Sequence, residues 1–323
     1  FARLGAAGSF EAANLVMLRD GYAGIFARAA LPAMLSLFEA WRPDVVVREA
    51  AEFSSLAAAR RHGIPHVRVA TGLVATERLT LDAVAGPVGD LLAEAGADAQ
   101  SATLIDEPLL SLTPASFEPP EHRALAHRFR DDRVTHPPSA LADPQAVYVT
   151  FGSEAAGQGY FPLLYRTVID ALADLDVDLV VATGHAADPA GLGPLPRRVR
   201  VERWVDQGRE IARAQSVVHH GGYGTLLGAL AAGVPQIVMP LFSTDQQINA
   251  ERVTEVGAGL MIGGAEDLPR LPGPSADGPK IRTAVASILA TTTYRERSES
   301  FARDIAALPE AIEAIPLIEA LAR

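Results

Sequence analysis

No cysteine occurs in the 323 residues, which excludes disulfides and thiolate chemistry and leaves the redox compartment open. Positive charge is scarce as well: 28 lysines and arginines face 39 aspartates and glutamates, and the net charge of −11 disfavours a nucleic-acid or acidic-membrane partner. A local site can still hold a small anion. The most apolar window, Gly224 to Phe242, is divided by Gly233, Pro235, Gln236 and Pro240 into a helix and a strand, so no transmembrane segment is expected. No signal peptide is expected, and neither a repeat of fixed period nor a low-complexity tract occurs in the sequence. The text opens at Phe1 with no strand-then-glycine pattern ahead of its first helices, and the expectation is an N-terminal domain lacking its first strands.

What is present alternates. Phe1 to Arg42 reads as helical, with a new helix starting at Pro32, and Val45 to Val47 is a short strand running into Arg48-Glu49. Helix Ser54 to His62 and strand His66 to Val69 follow, with a last strand at Leu109 to Leu112. A Pro-, His- and Arg-rich shift from Thr113 marks a linker, after which strands at Ala146 to Phe151, Asp178 to Thr183, Val199 to Trp204 and Ser216 to His219 alternate with helices. This is the pattern of parallel sheets with helical crossovers, and the length suits two domains. The boundaries expected are an N-terminal domain over 1–113, a linker over 114–143, a second domain over 144–308 and a final helix over 309–323 that returns to the first domain.

Ser216 to Asn249 carries the densest signal. A β-branched strand is broken by Gly221, Gly222 and Gly224, and a Leu/Ala helix from Thr225 ends at Gly233. A strand feeding a glycine turn and a helix start aims free N–H groups and the positive end of the helix dipole at one spot, which attracts phosphate. A redox dinucleotide fits poorly, because the third glycine of GxGxxG falls on Leu227. His219 and His220 point to opposite faces of their strand, so one is a core histidine and His220, beside the glycines, is the candidate for phosphate. Metal binding is not expected of this pair, since no HxxxH or HxH spacing occurs. Gly152-Ser153 forms a second strand-to-glycine turn. Trp204 is either a core tryptophan or a flat surface for a nucleobase. The cluster Arg197, Arg198, Arg200 and Arg203 reads as a solvated strand edge.

Phe151-Gly152-Ser153, Trp204-Val205-Asp206-Gln207, His220-Gly221-Gly222-Tyr223-Gly224-Thr225, Gly233-Val234-Pro235, Asp245-Gln246 and Asn249-Ala250, in that order and spacing, resemble the inverting nucleotide-sugar-dependent glycosyltransferases that decorate natural products, most closely the bacterial secondary-metabolite branch. The resemblance implies an α/β chain of two Rossmann-like domains facing across a cleft, the GT-B architecture. It implies that Trp204 stacks on the donor base with the backbone of Val205 reading its edge and Gln207 near the ribose. Ser153 and His220, with Gly152, Gly222, Gly224 and Thr225, would meet the diphosphate, and Asp245 and Gln246 the sugar hydroxyls. The co-substrate implied is a thymidine or uridine diphosphate sugar, with no other cofactor and no metal. A small apolar acceptor, a cytoplasmic location and compatibility with a homodimer complete the expectation. Two departures stand out. Asp206 replaces the family's usual proline, and the family's catalytic histidine belongs to a first βα loop that this text does not contain; Glu49 is the candidate partner of that base, with a surface ion pair to Arg48 as the plain alternative. A sugar-nucleotide epimerase, or an auxiliary protein that keeps the fold without catalysis, remains open as a second reading.

Overall fold

The computed structural model describes residues 10–97, 107–131, 145–263 and 278–322. The chain divides into two compact units, Phe1–Arg130 with Leu308–Arg323, and Asp131–Ala307.

The first unit holds a parallel sheet of four strands in sequence order: β1 (Val46–Glu49), β2 (His66–Val69), β3 (Leu109–Ser111) and β4 (His127–Arg128). Helix α3 (Ser54–His62) makes the β1-to-β2 crossover and ends at Gly63, whose φ of +65° is the left-handed value a helix-terminating glycine adopts. Ahead of β1, α1 (Phe10–Val16) passes through a π-helical stretch (Met17–Phe26) into α2 (Ala27–Trp41). Pro32 lies inside α2 and does not begin a helix. The run Glu11–Trp41 is long and apolar enough to cross a bilayer by length and composition alone. In this unit its Ala23, Ala27 and Leu31 are buried against Phe53 and Leu56 and against Leu81 and Val84 of α4 (Val74–Glu94).

The segment after Thr113 is not a spacer where it is described. Phe117 and Glu118 are fully buried, and Arg128 donates to the carbonyls of Thr113, His122 and Arg123. Pro114 to Arg130 therefore packs as part of the first unit; composition misplaces it because its prolines and arginines serve turns and buried carbonyls. Residues 132–143 of the expected linker, and most of the Pro/Gly-rich loop after Leu268, lie outside the described residues. The chain rejoins the unit near its end: Arg130 donates to the carbonyl of Leu308 and to Glu310, and Ala314, Leu317, Ile318 and Leu321 pack on Val67, Leu110 and Phe129.

The second unit is one parallel sheet in the order β10-β9-β8-β5-β6-β7, built from β5 (Ala146–Thr150), β6 (Asp178–Ala182), β7 (Val199–Glu202), β8 (Ser216–His219), β9 (Gln236–Val238) and β10 (Gly259–Met261). Alternate residues on each strand feed opposite layers. Val147, Val149 and Val218 join Ile169 of α5 (Leu163–Leu172), Ile237 and Val285 in one cluster, whereas Tyr148 and Val217 join Ile211, Ala229 and Val234 in another. Strand order reverses at β5, so the carboxyl ends of β5 and β8 border the switch point where open α/β sheets hold ligands.

Gly259 shows how tightly the far edge is built. A Cβ placed on it would stand 1.9 Å from the Gln236 carbonyl oxygen, so the first residue of β10 can pair with β9 only without a side chain. Gly259→Ala is expected to destabilise the protein by about 1–3 kcal/mol, the usual cost of overpacking, read as a lower urea midpoint. An unchanged midpoint would mean that the edge strand moves aside freely.

Candidate functional site

At the end of β5 the chain turns through Gly152, with φ at +76°, and at the end of β8 through Gly221, with φ at +93°, conformations that residues with a Cβ rarely adopt. The His220 ring fills the space between these turns. A Cβ on Gly152 would stand 2.8 Å from its Cε1, and one on Gly222 would stand 2.5 Å from its Nε2. The two glycines are needed to seat the imidazole. His220 Nδ1 is buried and has no hydrogen-bond partner among the described residues, which is uncommon for a buried polar atom. Ser153 follows Gly152 directly, is exposed, and points its hydroxyl at Glu154 at 3.3 Å.

His219 has the other role. It is fully buried, its Nδ1 accepts the Gly221 N–H at 3.1 Å, and its Nε2 lies 2.9 Å from Gln236 Oε1. Accepting at Nδ1 leaves the proton on Nε2, so the neutral ring donates to Gln236. The histidine thereby templates the turn that presents its neighbour. Burial, reinforced by the adjacent His220, pushes His219 down to about 3, and burial alone pushes His220 to about 4; both rings are neutral at pH 7.

Helix α7 (Tyr223–Ala231) starts at the turn, with Gly222 as its N-cap and the first internal bond from Leu226 N–H to the Gly222 carbonyl. The N–H groups of Tyr223, Gly224 and Thr225 therefore precede the helical ladder. Nothing lies within 4 Å of a Cβ built on Gly224, and its φ is not left-handed, so neither packing nor backbone geometry demands a glycine there. A glycine within a helix costs ~0.5–1 kcal/mol relative to alanine, so helix stability does not account for this one. Thr225 is buried, with its hydroxyl 3.5 Å from Gln207 Oε1.

Helix α8 (Thr244–Glu255) abuts the same turn, since a Cβ on Gly221 would lie 2.8 Å from the Gln246 carbonyl oxygen. Asn249 Nδ2 fixes this contact by donating to the Gly221 carbonyl at 2.8 Å. Asp245 sits in the first turn of α8, held by the Ser243 hydroxyl. Gln246 is tied to the adjoining loop through its amide oxygen, which accepts from Leu241 N–H at 2.9 Å and Phe242 N–H at 3.1 Å.

Trp204 is 67% exposed, which removes the core alternative. Its ring stacks on His185, with centroids 5.0 Å apart and planes 9° off parallel. Val205 packs against the Ile211 and Ala229 cluster. Asp206, where the family has proline, caps α6 (Gln207–Arg213) by accepting the Arg209 N–H at 3.1 Å, so the turn is stabilised by a cap in place of a ring. His185 escaped the sequence reading, although Thr183-Gly184 ahead of it is a third strand-to-glycine turn.

In the first unit Glu49 ends β1 with its side chain exposed. Its carboxylate accepts from Ala51 N–H at 2.9 Å and lies 3.5 Å from the Thr71 hydroxyl. The plain ion pair with Arg48 does not form. The Arg48 guanidinium is buried, meets the Glu107 carboxylate, and donates to the backbone carbonyls of Glu49, Ala50 and Glu52. Burial would raise the Glu107 carboxyl, but His66 at 3.2 Å and Arg48 outweigh it and hold the group at about 2. Nearby Glu77, buried and bonded from Thr71 N–H at 3.1 Å, is pushed up to about 7 by burial against the opposing pull of Arg68.

Among the described residues no group of three or more His, Asp or Glu has the arrangement of a metal centre. The second unit instead presents an aromatic platform, a neutral imidazole and a helix start, arranged along the switch-point edge of one sheet. Such a set can hold a flat ring at one end and an anion at the other.

The chain matches the family model described as erythromycin biosynthesis protein CIII-like, N-terminal domain, over residues 6–221, and the corresponding C-terminal domain model over residues 166–321. The L-demethylnoviosyl transferase of Streptomyces niveus is 34% identical over 240 residues, covering 72% of this chain and 62% of its own length. The elloramycin glycosyltransferase ElmGT of Streptomyces olivaceus is 34% identical over 247 residues, covering 69% of this chain and 58% of its own. The chain thus spans about three-fifths of the length of these relatives. Among solved structures, the calicheamicin glycosyltransferase CalG4 superimposes with a TM-score of 0.72 at 27% identity, over 91% of this chain and 77% of that one.

The paired histidines make a pH prediction. Both are held below the ordinary value near 6.5, so the unfolded chain takes up protons that the folded chain refuses. Their contribution is complete above about pH 6.5 and is lost as pH falls toward about 4 for His220 and about 3 for His219. His219→Asn, which keeps an acceptor for the Gly221 N–H but does not titrate, is expected to flatten the fall of the urea midpoint across that window. A slope equal to the parent's would show that His219 does not govern acid sensitivity.

Proposed function

The chain belongs to the erythromycin biosynthesis protein CIII-like family, and from that premise we propose that it moves a deoxysugar from a nucleoside diphosphate sugar to a hydroxyl of a small apolar natural product, with inversion at the anomeric carbon. The observation that carries the reading is the seat of His220: a neutral ring wedged between Gly152 and Gly222, with a buried nitrogen lacking a partner among the described residues, beside a helix start kept open at Gly224.

The donor is assigned along the sheet edge. Its base, thymine or uracil, stacks on Trp204 and is read by the Val205 backbone, with Gln207 near the ribose. The diphosphate lies against Ser153, His220 and the N–H groups of Gly222, Gly224 and Thr225, where the helix dipole favours its charge. Asp245 takes sugar hydroxyls; Gln246 supports the loop beside it. As the bond from the anomeric carbon to the diphosphate breaks, negative charge grows on the leaving oxygens, and these donors stabilise it without a metal. The acceptor hydroxyl loses its proton to a base and attacks from the face opposite the diphosphate. Glu49 is the group assigned to orient that base. A soluble, cytoplasmic protein of small-molecule partners is the setting this chemistry suits.

A product assay with and without acceptor separates transfer from conversion of the donor alone, and full turnover in a chelator is expected of the metal-independent route. His220→Ala is expected to lower kcat about 100-fold or more with little change in melting temperature; near-parental turnover would remove His220 from the mechanism. Gly224→Ala is expected to raise stability by up to ~1 kcal/mol and yet weaken nucleoside diphosphate binding strongly. Parental affinity in that variant would contradict a diphosphate lying against the Gly224 backbone.

A further inference from the structure

We infer that His185 is a positioning residue for the donor base, a role that rests on the donor reading above: its imidazole backs the Trp204 indole and fixes the plane on which the base stacks. The sheet itself brings the two rings together. Past the last paired residues of β6 and β7, Thr183 N–H still donates to the Glu202 carbonyl at 2.9 Å and Gly184 N–H to the Arg203 carbonyl at 3.0 Å. The residues next along the two strands are His185 and Trp204, and their rings lie 5.0 Å apart at 9°. Parallel pairing has been extended by two bonds to align two side chains.

Trp204 needs such a backing. An indole left 67% exposed has no core to hold its rotamer, and ordering a free side chain on binding costs about 0.5–1.5 kcal/mol. A ring already stacked on one face has met that cost before the ligand arrives. The same contact closes one face, so a planar ligand has the other, and the base becomes the third layer of a stack.

The His185 loop is itself anchored. Gly184 has φ at +83°, and a Cβ on it would stand 3.2 Å from the Gly152 carbonyl oxygen, so the loop turns against the turn that seats His220. Asp188, beyond His185, reaches Arg203 at 3.5 Å, bridging the loop to the residue before Trp204. His185 therefore couples the plane of the aromatic platform to the position of the anion-binding turn, and sets the separation that a base and its diphosphate must match.

The test uses the full chain carrying Trp41→Phe, which leaves Trp204 the sole tryptophan. The probes are inorganic pyrophosphate and whichever of thymidine and uridine diphosphate binds tighter, measured by calorimetry and by Trp204 fluorescence. His185→Ala is expected to weaken the nucleoside diphosphate about five- to tenfold, the worth of an aromatic stack, while leaving pyrophosphate unchanged. His185→Phe, which keeps a flat ring, is expected to restore affinity to within about twofold. Parental affinity in His185→Ala, or a His185→Phe variant no better than alanine, overturns the inference. Trp204→Ala separates the levels. If it too binds the nucleoside diphosphate as the parent does, the base does not stack there and the donor reading fails with the inference; if it weakens binding while His185→Ala does not, the role of His185 alone fails.

Discussion

One hydrogen bond organises the second unit's working edge: the Gly221 N–H donated to His219 Nδ1. It fixes the tautomer of a fully buried ring, hands the Nε2 proton to Gln236, and bends the chain at the end of β8 into a left-handed turn. Once that turn is set, His220 has one place to go, between Gly152 and Gly222, and α7 has one direction in which to start. Asn249 holds the opposite side of the turn through the Gly221 carbonyl. Both polar atoms of the Gly221 peptide position are thus held by buried side chains, and beside this fixed turn sits a neutral imidazole whose Nδ1 has no partner among the described residues.

Much of this was legible in the residues. The strand, glycine turn and helix from Ser216 onward were readable because periodicity changes sharply where glycine interrupts it. The division of labour between His219 and His220 followed from alternation along a strand. What escaped has physical reasons. The support that the Gln246 amide oxygen gives to the Leu241 and Phe242 N–H groups depends on how the loop folds back, which the sequence pattern does not show. His185 was invisible because its meaning depends on the register of β6 against β7, a long-range property that local pattern does not encode. Pro114 to Arg130 looked like a connector because polar composition does not reveal that an arginine is satisfying buried carbonyls.

The first unit manages charge differently. Its strand ends bury Arg48 and Arg68 with Glu77 and Glu107, and each carboxyl answers to its surroundings: Glu107, with Arg48 and His66 against it, stays ionised to about pH 2, whereas Glu77 holds its proton up to about pH 7. The Glu49 carboxylate is outside that buried set, exposed at the strand end, where it meets the Thr71 hydroxyl while the Glu49 carbonyl accepts from Arg48. Buried pairs of this kind add little net stability, because the cost of taking the charges out of water offsets their attraction, but removing one partner leaves the other charge uncompensated.

The path of the chain through its units has a topological consequence. The first unit is discontinuous, and its two pieces meet where Arg130 N–H donates to the Pro309 carbonyl at 2.8 Å and Ala311 N–H to the Arg130 carbonyl at 2.8 Å. Everything between leaves and returns at neighbouring points, so the chain enters and leaves the second unit through a single seam of the first. That seam lies beyond the last strand of the first sheet, so both crossings can be opened without breaking a strand pair of that sheet.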